Sequence, residues 1–65
     1  MAKYEAEREL IKRNLSTMGV TKGAMKGCRI NTLRMMLLEK VLPMSQENRQ
    51  IIMRAVWPNG MPNND

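Results

Sequence analysis

Six basic residues, Lys12, Arg13, Lys22, Lys26, Arg29 and Arg34, fall between Leu10 and Leu38, and no aspartate or glutamate interrupts them. The formal net charge of the whole chain is +5, so this stretch carries more than the entire excess. A surface of this kind favours phosphate, because neutralising phosphates releases condensed counterions. The aromatic residues, Tyr4 and Trp57, both lie outside it. The stacking platform used to hold single strands is therefore missing. Duplex DNA is the expected ligand in preference to single-stranded RNA, with these six side chains as the contacting set.

Other chemistry finds little material. The sequence has no histidine, and the acids cluster near its start (Glu5, Glu7, Glu9) instead of facing a base. Cys28 has no base in view to take its proton, and a free cysteine is among the most buried residue types. One cysteine without histidine makes no ordinary zinc set. Gly19, Gly23 and Gly27 recur every fourth residue, but a Walker-type phosphate cradle needs Gly-Lys-Ser/Thr after a strand. Turn and hinge duties are expected of them. No catalytic residue, metal or cofactor is assigned.

Helices must position the basic groups. Residues 2–18 read as one helix, with Tyr4, Ile11, Leu15 and Met18 on an apolar stripe flanked by Leu10. The acidic run precedes Lys12 and Arg13, as the helix dipole favours, and is expected to be a solvated face. Glu9 and Arg13 stand four apart as an attractive pair. Gly19 supplies a left-handed end to the helix. Thr21 caps a short second helix over residues 22–30, with Ala24, Met25 and Cys28 inward and Lys22, Lys26 and Arg29 outward. Gly23 and Gly27 each cost such a helix about 1 kcal/mol relative to alanine, so a loop is the alternative.

Asn31 caps a third helix over residues 32–42. Leu33, Met36, Leu37 and Val41 share one face and Met35, Leu38 and Leu42 the next, so this element is expected at the centre of a bundle. Pro43 ends it. Ser45 caps a fourth helix over residues 46–56, with Ile52, Ala55 and Val56 inward and Ile51 extending that stripe. Residues 57–60 read as a turn with proline second and glycine fourth, and 61–65 as a polar, mobile tail. No alternating run resembles a strand. The fold expected is all-α: a small three- to four-helix bundle in one domain, residues 1–57, followed by a turn and flexible tail over 58–65.

Residues 11–28 resemble the helix-turn-helix family of DNA-binding regulators. The likeness rests on an amphipathic helix, Gly19 in the turn, apolar Val20 after it, Thr21 as cap, and a basic segment whose Met25 and Cys28 face back. The resemblance implies a second helix lying in the major groove with its first residues at base edges. Carried over, Lys22, Lys26 and Arg29 become the set near bases or phosphates. Lys12, Arg13 and Arg34 are left for supporting phosphate contacts.

Size adds a further expectation. A chain of 65 residues buries about 60% of its unfolded surface, and a single core of that kind rarely supplies more than about 3–5 kcal/mol. With no disulfide or metal to staple it, support from a second copy is expected, a homodimer being the default. The lone cysteine and eight methionines fit a reducing compartment. No apolar run reaches signal-peptide or membrane-spanning length, so the expected location is the cytoplasm, with no membrane association. The reading is thus a small basic DNA-binding regulator. The alternative is a module that docks on a partner protein to inhibit or recruit it, with Arg54 and Trp57 as the arginine and aromatic anchors that binding hot spots favour.

Overall fold

Helix α1 (Glu5–Thr17) buries Ile11 and Leu15, one turn apart on its inner face. Its end is a Schellman motif. The Val20 N–H donates to the Leu15 carbonyl at 3.0 Å and the Gly19 N–H to that of Ser16 at 3.1 Å, with Gly19 in the left-handed region at φ +93°. Val20 then packs on the core. The computed structural model describes residues 4–61, so the predicted first residues of α1 (2 and 3) and the last of the predicted tail (62–65) lie outside the described residues.

Helix α2 (Lys22–Met25) is four residues long. Thr21 Oγ1 accepts from the Ala24 N–H at 3.2 Å, as a capping threonine should. The helix stops well short of the predicted residue 30. Lys26 is already extended and Gly27 turns left-handed at φ +76°, a conformation open to glycine at little cost. Met25 is buried as expected, Cys28 is partly buried, and Ala24 is exposed rather than inward. The segment after α2 is pinned to α1 by Arg8, whose guanidinium donates to the Cys28 carbonyl at 2.8 Å.

Helix α3 (Ile30–Val41) starts two residues before the predicted position. Arg29 is its cap residue, and the Asn31 side chain caps nothing; it accepts from Arg34 Nη1 at 3.2 Å. Leu33, Leu37 and Val41 are fully buried. The outer face is not buried as expected, since Met35 is 58% and Leu42 64% exposed. Four residues, 42–45, return the chain into α4 (Gln46–Val56), capped by Ser45 Oγ accepting from the Asn48 N–H at 3.3 Å. The buried side of α4 is Val56 with Ile52 and Met53 packed against the core, whereas the predicted Ile51 and Ala55 face outward. The predicted turn follows, closed by the Gly60 N–H on the Trp57 carbonyl at 3.0 Å.

Together α1, α3 and α4 form a bundle in which α1 packs on both of the others, and α2 contributes Met25 to the common core. Among the described residues there is no strand, and no helix is long and apolar enough to cross a membrane. Eight side chains make the buried core: Ile11, Leu15, Met25, Leu33, Leu37, Val41, Val56 and Trp57.

A polar knot completes that core. Arg34, expected on the DNA-facing surface, is only 5% exposed. Its Nε donates to Glu7 Oε2 at 2.7 Å and its Nη2 to Oε1 at 2.9 Å. Its guanidinium carbon lies 5.2 Å from the Tyr4 ring centroid, within cation–π range. Trp57, expected as an exposed docking anchor, is 6% exposed and donates its indole N–H to Glu7 Oε2 at 2.6 Å. One carboxylate therefore ties α1 to α3 and to the end of α4. Glu7 itself leaves the predicted solvated acidic face, while Glu5 and Glu9 remain on it.

Candidate nucleic-acid interface

Helices α1 and α2 meet at an angle set by the Gly19 turn, and an open groove of about 630 Å³ lies between them. One wall is α1, which presents Glu9, Lys12, Arg13, Ser16 and Thr17. The other is Lys22 and Gly23 of α2 with Lys26 just past its end, and buried Met25 forms the floor. Lys12 is partly buried; Arg13, Lys22 and Lys26 are exposed. Long basic side chains can lay their methylenes on an apolar floor while the charged heads stay in water.

Four of the six predicted basic residues are thus brought together from two separate segments: Lys12, Arg13, Lys22 and Lys26. Arg29 is exposed at the start of α3 and does not line the groove. Arg34 is turned inward and is unavailable to phosphate. Its partner explains why: the carboxylate of Glu7 sits on the same buried face, and a bidentate guanidinium–carboxylate contact is among the stronger polar pairings. Those bonds from Arg34 hold the Glu7 carboxyl below its ordinary value of 4.5, against the opposing effect of burial, with the Trp57 indole adding in the same direction. They also raise the Arg34 guanidinium above its own.

Among the described residues Arg34–Glu7 is the one ion pair. The four groove cations therefore have no described carboxylate held against them, and Glu9 and Arg13, expected as an attractive pair, form no salt bridge. The carboxylate-free part of the α1 wall, from Lys12 to Thr17, rises about 7.5 Å at 1.5 Å per residue. One strand of B-form DNA places a phosphate every 3.4 Å of axis, so about two phosphates match that length, with Lys22 and Lys26 on the facing wall. The groove supplies four cations. The Thr17 hydroxyl donates to the Asn14 carbonyl at 2.7 Å and keeps only acceptor capacity, whereas Ser16 is exposed at the groove wall.

A second, shallower hollow of about 310 Å³ lies at the end of α4, lined by Gln50, Met53, Arg54, Trp57, Pro58, Gly60 and Met61. Arg54 and Trp57 do meet there, but the indole contributes only an edge, because its body belongs to the core. Among the described residues no group of acidic, cysteine or histidine side chains could hold a metal ion.

Sequence reasoning passed over Glu7 and its partners, although a signal was present. Glu7 lies three residues after Tyr4 and four before Ile11, on the apolar stripe itself. Arg34 lies three before Leu37 on the matching face of α3. Two opposite charges on two faces destined for burial point to each other. No protein-family model, curated protein or solved structure matches this chain.

Proposed function

We propose that this protein binds duplex DNA through the α1–α2 groove and acts as a small regulator of transcription. The observation that carries the reading is the convergence of Lys12, Arg13, Lys22 and Lys26 on one open groove, none of them paired with a described carboxylate. The cations serve as backbone contacts. With α2 only four residues long, it offers about 6 Å of helix, so sequence reading in the helix-turn-helix manner would fall to Lys22 and its immediate neighbours. Arg29 is exposed nearby in sequence and adds a peripheral phosphate contact.

Fluorescence anisotropy with random-sequence duplex DNA tests this. Affinity should fall steeply as salt rises, with a log–log slope approaching about −3.6 for four neutralised phosphates. Reversing both exposed lysines (Lys22→Glu with Lys26→Glu) should flatten the slope by about 1.8 and leave the helical circular dichroism intact. A salt-independent response, or no binding at low salt, overturns the reading.

A second reading, docking on protein, is favoured by a different observation. Met35, Leu42 and Ile51 are each more than half exposed, and large apolar side chains in that condition mark contact surfaces when they adjoin. A second copy of the chain is the partner that reading takes first; Arg54, exposed at the α4 hollow, is its polar contact.

A further inference from the structure

Among the described residues Glu9 is the one carboxylate lining the groove. It is exposed, and although Arg13 follows four residues later on the same helix, no ion pair joins them among the described residues. Its charge is therefore presented to whatever enters the groove. We infer that Glu9 ends the phosphate track, fixing how far along α1 a nucleic-acid backbone can run. The inference rests on the DNA-binding reading above and adds a positioning residue to it.

The physical reason lies in the order of groups along α1. From Thr17 back to Lys12 the wall offers the Ser16 hydroxyl and two cations, faced by Lys22 and Lys26; the next groove residue on that wall is Glu9. An ionised carboxylate and a phosphate oxygen are both acceptors only, so they cannot share a hydrogen bond and they repel. A backbone seated over the four cations gains at each contact and meets repulsion one turn further on. The strand must leave the helix at that point, which sets its register against α1. Affinity is given up in exchange for a defined footprint.

Glu5 supplies the control, being exposed on the same helix but off the groove. Glu9→Gln and Glu5→Gln change the net charge equally. Each variant would be titrated with random duplex DNA over a salt series, and the protected phosphates mapped by ethylation interference. Glu9→Gln should bind about threefold more tightly, the effect of lifting one like charge about 6–7 Å from a phosphate in a water-like dielectric. The footprint should extend by one phosphate past Lys12, with the salt slope little changed, because glutamine adds no cation. Glu5→Gln should leave the slope and the footprint unchanged.

Equal behaviour of the two variants would overturn the inference, because Glu9 would then act through net charge alone. Weaker binding by Glu9→Gln would overturn it too, since the carboxylate would then be accepting from the ligand. In both cases wild-type binding survives and with it the DNA-binding reading. Failure of the wild-type chain to bind duplex DNA at low salt removes both.

Discussion

Glu7 accepts from Arg34 twice and from Trp57 once, and every buried side-chain nitrogen and oxygen among the described residues has a partner. Removing the charge of Glu7 from this part-buried pair weakens charge-assisted bonds worth about 1.5–3 kcal/mol. That is a large share of the net stability expected of a core this small. Glu7→Gln should therefore lower the stability by about that amount at neutral pH. Trp57→Phe keeps the ring and loses one charge-assisted bond, and should cost about 1.5–3 kcal/mol. The pH dependence has a definite sign. The folded-state Glu7 carboxyl titrates below its ordinary value, so its contribution is present above the unfolded value and is lost as pH falls through the folded one. Thermal melts of the wild type should show a midpoint that drops from about pH 4.5 downward, by the unfolded carboxylate's titration. Trp57→Phe should show a shallower drop. A midpoint insensitive to acid would show that the carboxylate is not held by its partners.

At the scale of the elements, the glycines separate cleanly by backbone conformation. Gly19 and Gly27 have positive φ and nothing within 4 Å of an added Cβ, whereas Gly23 lies inside α2 with only the Thr21 hydroxyl at 4.0 Å. Gly19→Ala and Gly27→Ala should each destabilise by about 1–2 kcal/mol through strain alone. Gly23→Ala should stabilise by about 0.5–1 kcal/mol, since it meets no obstacle and alanine favours helix. Chemical denaturation of the three variants reads the opposite signs directly. This contrast also explains what was legible beforehand. The Gly19 stop, the Thr21 and Ser45 caps, Pro43 and the Gly60 turn depend on neighbours within a few positions, and each stands where its residue type places it. The length of α2 was open, because Gly23 tolerates helix and Gly27 breaks it, and both are written with the same letter. The burial of Arg34 and Trp57 rests on a carboxylate far along the chain, which local pattern cannot reach. In the groove, the spacing put Lys12 beside Arg13 and Lys22 near Lys26, but only tertiary packing sets one pair against the other.

At the scale of the whole molecule, the converging cations and the exposed apolar side chains belong to different surfaces of the fold's elements. Basic groups gather on α1 and α2, while the outer face of α3 and the Ile51 side of α4 present apolar groups to solvent. If those groups pair two copies, sedimentation equilibrium should return about twice the 7.5 kDa chain mass. Leu42→Lys, at a site 64% exposed, should restore the single mass without loss of helix, because a like charge on both copies opposes a twofold contact. A single-chain mass for the wild type at submillimolar concentration removes the dimer.

The Glu7 junction also has a history written into it. Its two donors lie 27 and 50 positions downstream, while synthesis runs from the N-terminus at about 5–20 residues per second. The acid thus emerges from the ribosome before either partner, and the indole of Trp57 is the last of the three to follow. A nascent chain interrupted before Arg34 holds Glu7 without its ion pair, and one interrupted between Arg34 and Trp57 has the pair but lacks the indole that closes the junction and the core.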